Sequence, residues 1–360
     1  MVEYEERTAV ATPNIALIKY WGRRDSALNL PFNSSLSMTL DFSLRTKTSV
    51  LFTNKVRKDI FYLNHRQISN GSVSEKIDNV RKVVKEMKEL AGVTESVKAV
   101  IASENSFPMD SGIASSASGG AALVYALNSS LNLNLSSKEM SIFARKISGS
   151  ACRSVLGGIV KWNRGKREDG LDSYAEEVLD YKGWEELTDI IAIVSYRRKA
   201  IPSSVGHDIT SVTSPLYRIR PELAEESIKR ALKFIRDRDF EGLGEIIMRD
   251  SNNMHAAMLD SWPPIIYMND TSIKVIHAIE RLNESEGRII AAYTFDAGPN
   301  AHVITVRPQA ERVRKALESV RGVKKILKVG VGQGPKLVEE SLFSNPRYPE
   351  SRFLREILAA

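Results

Sequence analysis

"PMDSGIASSASGG", Pro108–Gly120, holds the densest run of small residues in the first half of the chain. Gly112 and Gly119 permit tight backbone, and Ser115 and Ser116 offer hydroxyls. The small residues around them let a helix N-terminus come close to an anion. The stretch therefore reads as a phosphate cradle that opens a helix over 112–128, where Ala, Gly and Ser give way to Leu123, Val124 and Leu127. A helix so poor in bulk suits burial against a sheet. Asp110 stands against the cradle. A carboxylate about 4 Å from a phosphate charge costs on the order of 4 kcal/mol at an effective dielectric of 20. Asp110 is either a helix cap or the mark of a site that has stopped taking a nucleotide.

Outward from this stretch, strands and helices mix without regular alternation. "TSVLF" (48–52), "DIFYL" (59–63) and "VKAVIAS" (97–103) read as strands. Ile77, Val80, Val83, Val84, Met87 and Leu90 recur at helical spacing between them. Segment 136–147 starts with Ser136, Ser137 and Glu139, the pattern of a capped helix. "DIIAIVSY" (189–196) reads as a buried strand. Pro221 opens a helix to about Arg238, and another follows Asp270 and Thr271. "RIIAAYTF" (288–295) and "HVITV" (302–306) are strands joined by "DAGPNA". A helix to about Val320 and a last strand, "KKILKVGVG" (324–332), complete the pattern. The expected class is α+β in two lobes, residues 1–185 and 186–360.

Composition narrows the function. The chain has 360 residues, 42% hydrophobic and 26% charged, the balance of a soluble globular protein. No apolar run approaches the roughly 20 residues of a membrane span, and the N-terminus has early acids and no apolar core. The single cysteine, Cys152, excludes an internal disulfide and fits a reducing cytoplasm. The net charge of +7 is scattered among acids, with no basic tract interleaved with aromatics. A phosphorylated small molecule is the expected partner, rather than nucleic acid or membrane. The five histidines are isolated, with no metal-ligand spacing, so they read as surface or satisfied residues and no metal site is expected.

Four segments combine small residues, turns and charge. "PNIALIKYWGRRD" (13–25) crowds Asn14, Lys19, Tyr20, Arg23, Arg24 and Asp25 around Trp21 and Gly22. The serine cradle is the second. "SGSACRSVLGG" (148–158) sets Ser148, Ser150 and Ser154 around Arg153, good phosphate chemistry or a capped helix start. "FDAGPNA" places Asp296 after an apolar strand and before a Gly-Pro turn, as a turn former or a catalytic carboxylate.

In this order the four segments resemble the diphosphomevalonate decarboxylases of the GHMP kinase superfamily. "LNLPFNSSLSMTL" (28–40), "DSNNMHAAMLDSWPPIIYMNDTS" (250–272) and "VGVGQGPKLVEESL" (329–342) extend the resemblance over nearly the whole chain. The resemblance implies a ribosomal-S5-like N-terminal lobe, a ferredoxin-like C-terminal lobe, a cleft site between them and a cytoplasmic homodimer. It implies a reaction in two halves: phosphorylation of a tertiary 3-hydroxyl by ATP with Mg2+, then loss of that phosphate and of CO2. Asp296, Lys19 and Arg153 fall at the catalytic positions. Asn14, Tyr20, Ser148 and Ser150 fall at substrate-contacting positions, and Ser115 and Ser116 belong to the phosphate cradle. Fixed cations beside a departing phosphate stabilise the charge it gathers.

Two departures bear on the first half of that reaction. Met109, Asp110 and Ser111 stand where the family cradle has small neutral residues, and Ser72 stands where many members carry a basic residue for the distal phosphate. Together they favour the ATP-independent branch, mevalonate 3,5-bisphosphate decarboxylase, which needs no cofactor and gives isopentenyl phosphate. The ATP-dependent enzyme giving isopentenyl diphosphate is the alternative. A silent binding relative is the remote third, disfavoured because all of Asp296, Lys19 and Arg153 are present.

Overall fold

The first half runs β1 (Arg7–Ala11), β2 (Asn14–Ile18), β3 (Arg23–Asp25), β4 (Leu30–Pro31), β5 (Ser35–Thr39), β6 (Thr46–Thr53), β7 (Ile60–Leu63) and β8 (Arg66–Gln67). It continues through α1 (Glu75–Leu90), β9 (Lys98–Asn105), α2 (Ser115–Ser130), α3 (Ser137–Ile147), a 3-10 turn at Gly149–Val155, β10 (Ile159–Trp162) and β11 (Ala175–Leu179). The second half runs β12 (Leu187–Ile193), α4 (Ser203–Thr213), α5 (Arg220–Asp237), α6 (Phe240–Leu259) and α7 (Asp270–Glu286). After these come β13 (Ala291–Phe295), β14 (Ala301–Val306), α8 (Ala310–Glu318), β15 (Lys325–Gly330) and β16 (Lys336–Val338). This computed structural model describes residues 4–68, 75–107, 115–197 and 199–344. Asp110 and Ser72, on which the ATP-independent expectation rests, lie outside the described residues.

Three larger sheets organise the α+β fold. The first has the order β16-β1-β6-β9-β7-β8, the second β11-β10-β5-β2, and the third β13-β14-β12-β15. The apolar run of β12 is explained by burial on both faces. Leu187, Ile191 and Ile193 pack toward α5 and α6, whereas Ile190 and Ala192 pack toward α7 and α8. α3 opens on the expected capping box, Ser136 with Glu139. β16 runs antiparallel to β1, and Leu342 and Phe343 pack on Leu51, Tyr62 and Val100, so the chain beyond 330 returns to the first-half sheet.

Two local features place the site. α2 lies close on the 3-10 turn because it is small where they meet: a Cβ on Gly120 would sit 2.8 Å from the Ala151 Cβ. β2 pairs with β5 through a register shift between Ala16 and Ile18. Such an irregularity re-aims the residues that follow it, here Lys19.

Candidate active site

Lys19 leaves the buried strand β2 and points across to the second half of the chain. Its Nζ donates to Asp296 Oδ1 at 2.7 Å, with the lysine side chain 2% and the aspartate 32% exposed. Asp296 follows β13 directly, in a tight turn closed by Gly298 N–H donating to the Asp296 carbonyl at 2.8 Å. The turn-former and site readings of "FDAGPNA" are thus compatible: the turn presents the carboxylate. Burial works against the Asp296 charge. The Lys19 ammonium, with His302 and Arg153 behind it, outweighs burial and holds the carboxyl below its usual range.

The main chain of Lys19 is fixed separately. Its N–H donates to Asp250 Oδ2 at 2.7 Å, and its carbonyl accepts from Asn33 Nδ2 at 3.0 Å and Arg220 Nη2 at 3.2 Å. Arg220 and Asp250 form an ion pair at 3.3 Å, both sealed from solvent.

Arg153 rises from the 3-10 turn. Its Nε donates to Asn14 Oδ1 at 3.1 Å and its Nη1 to Ser35 Oγ at 2.7 Å, and its guanidinium lies 5.9 Å from the Trp162 ring centroid. Arg153 is buried, and no carboxylate pairs with it among the described residues. A buried guanidinium held only by neutral partners is suited to receive an anion. Asn14, read from sequence as a substrate contact, sits behind Arg153. Its amide accepts from Arg153 and donates to the Ser150 carbonyl at 3.0 Å and to Ser154 Oγ at 2.8 Å. In this geometry Asn14 orients the arginine.

The serines predicted from separate motifs meet. Ser148 Oγ lies 3.4 Å from both Ser116 Oγ and Ser150 Oγ. Ser115 and Ser116 open α2, whose first turn carries no acid. Tyr20 stacks on His207 and meets Trp162 edge-on, with ring centroids 4.4 and 4.7 Å apart. A Cβ on Gly149 would lie 2.6 Å from Tyr20 Cε1, so this glycine makes room for the tyrosine ring.

Sequence reading missed three kinds of residue. Asp250 and Arg220 fix Lys19, Ser35 fixes Arg153, and His207, His255 and His302 are the satisfied rather than the surface kind, each buried near the site with a hydrogen-bond partner. His255 Nε2 lies 3.4 Å from the Phe295 carbonyl, which can only accept, so the ring donates there. Burial pulls its pKa down to about 4 and keeps it neutral. His302 Nδ1 pairs with the buried Asp189 at 2.6 Å. No local spacing signals these residues, because their partners come from distant elements. Among the described residues no three His, Cys, Asp or Glu side chains gather as a metal site would need, and no helix is long and apolar enough to cross a membrane.

Residues 11–175 match the family model described as the diphosphomevalonate decarboxylase-like N-terminal domain. Residues 189–333 match the mevalonate 5-diphosphate decarboxylase C-terminal domain. The diphosphomevalonate decarboxylase of Candida albicans is 38% identical, over 93% of this chain and 98% of its own. The solved mevalonate diphosphate decarboxylase of Staphylococcus aureus superposes with a TM-score of 0.85 at 33% identity, covering 93% of this chain and 98% of its own. MDDEF, solved in complex with MVAPP, AMPPCP and magnesium, superposes with a TM-score of 0.83 at 33% identity, over 93% of this chain and 99% of its own. These relatives favour the ATP-dependent alternative over the expected ATP-independent branch, since they carry the name of the diphosphate enzyme and one holds a nucleotide analogue with magnesium. Two domain models and near-complete coverage agree with the order of motifs along the chain: it belongs to the diphosphomevalonate decarboxylase family and is a carboxy-lyase of the mevalonate pathway.

Proposed function

We propose that the protein is an ATP-dependent decarboxylase of mevalonate 5-diphosphate, releasing isopentenyl diphosphate, phosphate and CO2. The observation that carries this reading is the Lys19–Asp296 pair placed across from a buried Arg153 that has no carboxylate partner among the described residues. The substrate brings both a carboxylate and phosphates, the anions such a site lacks. The likeness to MDDEF with MVAPP, AMPPCP and magnesium supports the nucleotide. The α2 N-terminus fits its phosphates: Ser115 and Ser116 open the helix, no acid sits in the first turn, and a helix start is favourable to an anion. When bound, ATP with magnesium supplies the phosphoryl group for the 3-oxygen, and Ser115, Ser116 and the first turn of α2 would hold its phosphates.

The roles follow from the electrostatics. A carboxyl held below its usual range is a weak base toward a tertiary alcohol. Asp296 therefore acts by orienting the 3-hydroxyl, accepting its hydrogen bond, and by facing C3 as that carbon becomes electron-poor. Lys19 steadies Asp296 and the oxygens of the departing phosphate. Arg153 holds the substrate carboxylate with its planar fork, so that the electrons of the breaking C–C bond flow into the new alkene. Ser148, Ser150 and Tyr20 line the substrate. Preorganised donors of this kind are each worth about 3–4 kcal/mol of barrier.

The test is direct. Purified protein given mevalonate 5-diphosphate, ATP and magnesium should form ADP and isopentenyl diphosphate in equal amounts. Release of isopentenyl phosphate from mevalonate 3,5-bisphosphate without ATP, alongside no reaction of the diphosphate, would overturn this reading and restore the branch that Asp110 suggests.

A further inference from the structure

His207 is a buried group that the chemistry above leaves unused. It sits on α4, 7% exposed, with its imidazole stacked between Tyr20 and Trp21 at centroid distances of 4.4 and 4.1 Å. Its Nδ1 accepts the Gly22 backbone N–H at 2.8 Å. A ring nitrogen that accepts carries no proton, so the neutral ring carries its proton on Nε2. The tautomer is fixed by a backbone that must be glycine: Gly22 has φ +83°, and a Cβ there would lie 1.8 Å from the Tyr217 hydroxyl oxygen. That hydroxyl in turn donates to the Trp21 carbonyl at 2.7 Å.

Nε2 has no hydrogen-bond partner among the described residues, and it is not one of the polar atoms sealed from solvent. It is thus a donor on a nine-tenths-buried side chain, oriented by packing and left open. The charged groups around the ring are Arg23, paired with Asp208 at 2.5 Å, and Lys199. Burial first, then these two cations, keeps the ring neutral well below its ordinary pKa.

The ring also belongs to the right neighbourhood. Tyr20 follows Lys19 in sequence and packs against Gly149 beside Ser148 and Ser150. Ala297, next to Asp296, packs with Trp21 in one apolar cluster, and Lys199 Nζ donates to its carbonyl at 3.1 Å. We propose that His207 is a substrate-contacting residue of this site, its Nε2–H donating to an anionic oxygen of the carboxylate- and phosphate-bearing substrate. The inference rests on the reaction proposed above for the identity of that substrate.

Two variants separate this role from packing. Asparagine can place an oxygen near the imidazole Nδ1 and keep the Gly22 bond, but withholds the distal donor. Glutamine reaches the Nε2 position with an N–H. His207→Asn should raise KM for mevalonate 5-diphosphate roughly tenfold with kcat changed by less than about threefold, and His207→Gln should stay within about threefold of the parent KM. Equal KM values for the two variants would overturn the assignment. A readout independent of variant folding and of turnover is the His207 Nε2 nitrogen resonance of the unaltered protein on adding mevalonate 5-diphosphate. Movement of that resonance supports the contact, and an unmoved resonance at saturating ligand removes it. If ligand binds and shifts Nε2 but no product forms, the reaction assignment fails while the contact stands.

Discussion

Lys19 is gripped by two acidic residues that do different things. Asp250 takes its backbone N–H and is locked to Arg220 in an ion pair 1% and 3% exposed. Asp296 takes its ammonium group at the same 2.7 Å and is 32% exposed. The first acid has every reason to stay where it is: releasing it would strand a buried guanidinium. The second is partly exposed and can exchange part of its bond with the lysine for one with a substrate. One residue is therefore anchored by its main chain and available by its side chain. Burial and pairing alone therefore do not identify the reacting group; the half-open member of the pair does.

This contrast breaks if the two acids respond alike to mutation. Asp250→Ala should act on stability, lowering the free energy of unfolding by about 3–5 kcal/mol, because Arg220 is left buried without its partner. A urea unfolding series reads the loss. Turnover per folded molecule at low temperature should fall by no more than roughly tenfold. Asp296→Asn should do the reverse. Its unfolding free energy should fall by less than that of Asp250→Ala, because asparagine keeps an oxygen to accept from the 2% exposed Lys19 ammonium, while turnover falls about 10³-fold, some 4 kcal/mol of barrier. An Asp296→Asn enzyme of near-normal rate, or an Asp250→Ala protein of unchanged stability, would dissolve the distinction.

His255 touches both acids' surroundings: it shares α6 with Asp250, while its ring reaches the strand end that presents Asp296. Its folded pKa of about 4 lies below the value near 6.5 of an unfolded chain. As pH falls, the unfolded chain takes up this proton first. The neutral burial of His255 therefore begins to cost stability as pH drops through 6.5, and the cost grows until about pH 4. At pH 5 it amounts to about 2 kcal/mol. His255→Phe should flatten the fall in unfolding temperature between pH 7 and pH 5. An equal fall in parent and variant would show that His255 does not set it. The Asp296 carboxyl is also held below its ordinary value of 3.8, so the stability it adds is lost only as pH falls below that value, and the two groups titrate in separate windows.

Much of the fold is legible in the residues alone. Long apolar runs announce β12, β13 and β14, helical spacing announces α1 and α5, and the Ser136–Glu139 box announces α3. The motif order announces Lys19, Arg153 and Asp296. α4 and α6 carry no such signal. α6 mixes Asp250, Ser251, Asn252, Asn253 and His255 into its length, because that face serves the site and the Lys19 backbone as well as the core, and this blurs its periodicity. The partners of Lys19 and Arg153 are illegible for a related reason. Asp250 is 231 residues from Lys19 and Ser35 is 118 from Arg153, and polar contacts over such separations leave no pattern in a local window.

Arg153 is the case that neither half of the comparison covers: a buried cation whose described partners, Asn14 and Ser35, are both neutral. If its charge is reserved for the substrate, geometry should matter beyond charge. Lysine keeps the charge but has no planar fork, cannot satisfy Asn14 and Ser35 together with an anion, and loses the face laid toward Trp162. Arg153→Lys should lower kcat/KM at least roughly tenfold, about 1.4 kcal/mol, with a smaller effect on the unfolding midpoint. The split between the two constants carries further information. A rise in KM alone would mean that Arg153 holds the carboxylate equally in ground and transition states. A fall in kcat alone would mean that its grip tightens as CO2 departs, which is the behaviour expected of a group facing the breaking bond. A variant within twofold of the parent would show that a point charge suffices, and that the Asn14 and Ser35 bonds serve only to fill a buried space.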